Sequence, residues 1–165
     1  MAGRQKAQII PPSNELRRKA VNYKKGYSVD LTPSEMLQLE KVVHAATDKF
    51  NTAASASLKA LRELVASARE GEVAGEDIIR RVAREALDLK GLGGTFDYPL
   101  ITRIAKSLND YATDLNKIGP RQIEVVALHV DALYVLLAQR ITGTGGETEW
   151  QVLDGLAKAT KKFKA

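Results

Sequence analysis

Reactive side chains are scarce in this chain. It has no cysteine and only two histidines, His44 and His129. The lack of cysteine excludes disulfides, thiolate zinc sites and cysteine nucleophiles together. Neither histidine sits among clustered carboxylates, so no metal site is expected. No Ser/His/Asp set stands in a supporting motif. His44 falls near the middle of a long first helix, where it is expected to face solvent or pack. His129 adjoins the apolar stripe of a later helix and reads as a packed or edge histidine. No catalytic residue, cofactor or enzymatic activity is assigned.

The most unusual stretch is Leu87-Asp88-Leu89-Lys90-Gly91-Leu92-Gly93-Gly94. Glycine inside a helix costs about 1 kcal/mol relative to alanine, and here Gly91, Gly93 and Gly94 fall close together. A C-cap at Gly93 or Gly94 accounts for part of this. Gly91, further inside, is explained if something must approach the helix surface closely. On a wheel of about 100° per residue the core stripe is Ile79, Val82, Ala86, Leu89 and Gly93. Leu87 lies off that stripe, with Ala83, Arg84, Lys90 and Gly91 one turn away and Arg80 two turns back. A leucine among cations and a bare glycine either packs under another part of the chain or marks a recognition surface.

Helices must position that stretch, because no segment shows sustained strand alternation. Thr32-Pro33 opens the first, with Glu35 completing a capping box. Met36, Leu39, Val43, Ala46, Phe50, Leu58, Leu61 and Val65 follow at spacings of three and four, to about residue 69. A bend is expected near Ala53–Ser57. The second helix runs from about Glu76 to Gly93. Asp97 is expected to N-cap the third, which carries Leu100, Ile104, Leu108, Tyr111 and Leu115 and stops at Gly119-Pro120. The fourth spans about Arg121–Ile141, with Ile123, Val126, Val130, Leu133 and Leu137. Trp150, Leu153 and Leu156 mark a shorter fifth. The expected fold is all-α: an up-down antiparallel four-helix bundle, with an extended N-terminal arm over residues 1–32 and an extra C-terminal helix. Residues 33–165 form the helical body.

The 165 residues suit one domain. No run reaches the roughly 18 apolar residues of a membrane span, and no secretory signal opens the chain, so a cytoplasmic protein is expected. The net charge of +5 is concentrated at the ends. Residues 1–25 hold seven Lys and Arg against the single Glu15, and the tail Lys158–Lys164 is basic as well. Such ends aid solubility. Nucleic-acid binding is a weaker reading, since no aromatic residues interleave with the basic ones.

The second helix and its turn resemble histidine-phosphotransfer (Hpt) proteins of the stand-alone bacterial type. These carry His-x-Leu-Lys-Gly on the second helix of a four-helix bundle, with a later glycine. Here Leu87-Asp88-Leu89-Lys90-Gly91 matches that motif, and Gly94 matches the later glycine. Gly93-Gly94-Thr95-Phe96-Asp97-Tyr98-Pro99-Leu100 is similar to the family's Gly-Gly-Thr-Phe-Gly-Tyr-Pro-Leu, with Asp97 in place of a glycine. Pro11-Pro12-Ser13-Asn14-Glu15-Leu16, His129-Val130-Asp131-Ala132-Leu133 and Gly145-Gly146 before a helix also look similar. The resemblance implies an exposed histidine that accepts phosphate from a receiver domain, a lysine that offsets its charge and a glycine that clears room. Leu87 stands where that histidine would be, and leucine has no lone pair to accept phosphate.

The expected function is therefore a pseudo-Hpt module of two-component signalling. It would dock a response-regulator receiver domain or a hybrid sensor kinase without relaying phosphate, through Arg80, Ala83, Arg84, Leu87, Lys90, Gly91 and Gly94. Two alternatives belong beside it. One is an active phosphotransferase using another histidine, His44 first, or a chain whose Leu87 is an engineered replacement of histidine. The other is a basic scaffold or nucleic-acid-associated helical protein. No membrane partner is expected; a homodimer through the first helix is compatible with the pattern.

Overall fold

The computed structural model describes residues 32–164, and the expected N-terminal arm therefore lies outside the described residues. The chain divides into two units, residues 1–41 and 42–165. Of the first, the described part is Thr32 and the start of helix α1 (Pro33–Arg69). Thr32 and Glu35 form the expected capping box. The Thr32 backbone N–H and hydroxyl both donate to the Glu35 carboxylate, at 2.8 and 2.7 Å, and the Glu35 N–H donates back to the hydroxyl at 3.3 Å.

In the second unit α1 continues to Arg69 and is followed by α2 (Gly75–Gly93), a 3₁₀ turn (Gly94–Phe96), α3 (Pro99–Asp114), α4 (Pro120–Ala138) and α5 (Glu147–Lys162). Helix α1 passes through Ala53–Ser57 without the expected bend. Alanine is the strongest helix former, and the Ser57 hydroxyl turns outward to Glu85 instead of back to its own backbone.

Cross-helix contacts give the directions. Phe50 of α1 stacks on Phe96 at 4.7 Å, and Ser57 bonds Glu85 of α2, so sequence rises on one helix as it falls on the other. Between α2 and α3, Asn109 Nδ2 donates to the Ala83 carbonyl at 2.8 Å. Gly93 packs on Thr102 in the same antiparallel sense. Helices α3 and α4 meet through Ser107 and His129, and α4 returns to α1. There Arg69 makes a two-pronged contact with Glu124 at 2.8 Å for each oxygen, and Arg62 meets Asp131 at 3.1 Å. Helix α5 lies along α3 in parallel: Arg103 stacks on Trp150 at 4.6 Å, and the Tyr111 hydroxyl donates to the Phe163 carbonyl at 3.1 Å.

The core is drawn from all five helices, with Leu58, Leu61, Val82, Ala86, Leu108, Val130, Leu133 and Leu156 buried. In α2 the buried stripe is Ile78, Val82, Ala86, Leu89 and Gly93, while the expected Ile79 is half-buried. Helix α3 ends earlier than expected, at Asp114, because Leu115 turns to an extended backbone that keeps its side chain in the core. Helix α4 stops at Ala138, with Arg140 in the left-handed region (φ 50°). The Arg140 N–H bonds the Leu137 carbonyl and the Ile141 N–H the Leu136 carbonyl, as in a Schellman ending.

Asp97 does not N-cap α3. It sits at φ 63°, ψ 32°, and the Tyr98 N–H bonds back to the Gly93 carbonyl at 2.8 Å, so Asp97 is the left-handed residue that ends the second helix and its 3₁₀ extension. Helix α3 starts instead from Tyr98, with Pro99 in its first turn. The expected C-cap at Gly93 or Gly94 falls on Gly94, which keeps right-handed helical angles, as Gly93 does. A Cβ on Gly93 would stand 2.8 Å from Thr102 Oγ1 and 3.0 Å from its backbone N. Gly93 is therefore a close-packing residue between α2 and α3.

His129 is fully buried. Its Nδ1 faces the Val125 carbonyl at 2.8 Å, which can only accept, so Nδ1 carries the proton and Nε2 accepts from the Ser107 hydroxyl at 3.1 Å. Burial pushes its pKa below the ordinary 6.5. The folded state thus binds fewer protons than the unfolded chain once pH falls below about 6.5. The stability His129 confers is complete above that pH and is lost below it, by at most about 1.4 kcal/mol per pH unit. Urea midpoints are expected to fall between pH 7.5 and 5.5, and a His129→Leu variant is expected to lose that dependence. An unchanged slope in the variant would assign it to other groups.

Candidate functional site

The outward face of α2 carries the residues singled out from the sequence. Leu87 is 53% exposed, one of several large apolar side chains so placed among the described residues. Arg84, one turn earlier, is exposed, and among the described residues it enters no ion pair. Arg80 is exposed too, and its guanidinium is held by Asp77 at 2.6 Å on the same face. Such a surface pair contributes little to stability but fixes the arginine's direction.

The remaining positions separate. Lys90 is half-buried at the edge of the face. Ala83 is half-buried as well, and its carbonyl is engaged by Asn109, so it belongs to the α2–α3 seam more than to open surface. Gly94 is exposed, and a Cβ there would make ordinary contact with Thr102 Oγ1 at 3.6 Å. Gly91 is exposed, and a Cβ there would meet nothing within 4 Å. Among the described residues nothing requires a glycine at 91 for packing, in contrast to Gly93 two residues on.

Between α1 and α2 runs an open, mainly apolar groove of about 880 Å³. Leu87 and Gly91 line it together with Phe50, Ala53, Leu92 and Phe96. Arg80, Ala83, Arg84, Lys90 and Gly94 are not among its lining residues. Lys49 and Asp88 put one charge of each sign into the lining, and Glu85 is already engaged by Ser57. The α1 wall was not foreseen from the sequence. Leu92, 48% exposed, and Phe96 were legible as apolar residues off the core stripe, but only the packing of α1 shows that they share a groove with Leu87.

The chemistry available here is recognition. Leucine, glycine and arginine offer apolar area, clearance and donors, and the nearest carboxylate on the helix, Asp88, projects about 100° round from Leu87. His44 is exposed on α1, and His129 is enclosed in the core. Among the described residues no three His, Asp or Glu side chains are grouped to hold a metal ion, and no helix is long and apolar enough to cross a membrane. Comparison with family models finds none that matches the chain, and searches of curated proteins and of solved structures likewise find no match.

Proposed function

We propose that this chain is a pseudo-phosphotransfer module, an up-down four-helix bundle of Hpt type with α5 packed outside, that docks a receiver domain or sensor kinase without accepting phosphate. The observation that carries the reading is the solvent face of α2. Leu87, in the position of the phospho-accepting histidine, is half-exposed beside a glycine that packing among the described residues does not require. An apolar anchor with cationic neighbours suits a partner whose own site is acidic, as an aspartate-bearing receiver site is.

The groove between α1 and α2 extends the apolar area around Leu87. Arg84 and Lys90 would meet the partner's negative charge, and Arg80 would flank them. The second reading, transfer through His44, is favoured only by that side chain's exposure on α1.

The test is a calorimetric titration of the full chain against the purified receiver domains and kinases of its host. Binding by at least one is expected. A Leu87→Asp variant is expected to weaken it by tenfold or more, roughly 1.4 kcal/mol, while its circular dichroism stays that of the wild type. Binding that ignores Leu87→Asp would move the docking surface elsewhere, and binding to nucleic acid alone would favour the basic ends.

A further inference from the structure

We propose that the chain, docked on a phosphorylated receiver domain, shields the aspartyl phosphate from water and so prolongs the phosphorylated state. The inference rests on the docking reading above and says which consequence docking has.

Phosphoryl transfer places the attacking atom and the leaving oxygen roughly in line through phosphorus. In transfer to an Hpt histidine the attacking atom is an imidazole nitrogen. In hydrolysis it is a water oxygen: the new P–O bond forms as the bond to the aspartate oxygen breaks, the carboxylate departs and the water gives up a proton. Both reactions need the same in-line place. A side chain at the position of the accepting histidine stands in it. Leu87 fills it with hydrocarbon, which neither attacks nor holds a water by hydrogen bonds.

The surroundings support exclusion of water. Among the described residues nothing stands within 4 Å of a Cβ built at Gly91, which leaves room for a partner's backbone to close against α2 there. Leu92 and Phe96 continue the apolar surface along the groove that Leu87 lines. Arg84 and Lys90 are donors and not bases, so they neutralise phosphate charge without activating water. Glu85 is engaged by the Ser57 hydroxyl. Asp88 also lines the groove, but its side chain leaves the helix about 100° round from Leu87.

The experiment uses the full chain and a host receiver domain phosphorylated with radiolabelled acetyl phosphate. Complex formation is followed by fluorescence anisotropy of the labelled receiver, and loss of phosphate is followed in parallel. At saturating chain the phosphate half-life is expected to lengthen about tenfold, the factor that 1.36 kcal/mol of barrier makes. Leu87→Ala, which trims the apolar anchor and leaves room for a water, is expected to bind more weakly and, at a concentration that saturates the receiver by anisotropy, to return the half-life most of the way to that of the free receiver. Binding with an unchanged or shortened half-life would overturn the shielding and leave docking intact. Lack of binding by any receiver would overturn the docking reading itself. Protection that Leu87→Ala does not reduce would assign the effect to another part of the interface.

Discussion

A Leu87→His variant is expected to take up phosphate from a phosphorylated receiver domain that the wild-type chain binds, where the wild type takes up none. The change supplies the one thing the α2 face lacks, a lone pair at its centre. An imidazole at 87 would start from the half-exposed position that leucine now holds. Lys90 stands one turn on to offset phosphate charge, and Gly91 leaves room for the incoming site. Replacing an exposed leucine costs little, within about 0.5 kcal/mol, so a folded variant is expected. The readout is acid-labile, base-stable label on this chain. A variant that folds and binds but never carries label would mean that α2 is not presented as a phospho-acceptor helix.

Substitutions at Gly91 are expected to separate folding from binding. Gly91→Ala removes a helix-interior glycine whose added Cβ meets nothing within 4 Å among the described residues. It is expected to raise stability by about 1 kcal/mol, visible as a higher urea midpoint. Gly91→Gln keeps most of that gain but stands a long side chain beside Leu87. It is expected to weaken docking by tenfold or more, roughly 1.4 kcal/mol. The opposite signs matter, because a purely structural glycine would lose stability on either change. Gly93 supplies the contrast: alanine there is expected to destabilise, since its Cβ would press on Thr102 Oγ1 and backbone N at 2.8 and 3.0 Å.

Much of the helical layout was legible because its signals are local. The Thr32–Glu35 box, the glycines at helix ends and the apolar spacing of α3 and α4 each act within a few residues, and the helices follow them. That Leu87 lies off the buried stripe was legible for the same reason, as an angle on a wheel. Asp97 misled because aspartate suits two places, an N-cap and a left-handed helix ending, and backbone closure onto Gly93 chooses between them. Ile78 and Ile79 differ by one step of the wheel, which the tilt of α2 against its neighbours decides. The groove needed a second helix, since no spacing within α2 places Phe50 and Ala53 opposite Leu92.

The most direct measurement mixes the wild-type chain with a radiolabelled, phosphorylated receiver domain of its host and asks where the protein and the phosphate go. A complex is predicted on gel filtration, with the label on the receiver alone after denaturing electrophoresis. Acid-labile phosphate on this chain, or no complex with any receiver or kinase of the host, would contradict docking without transfer.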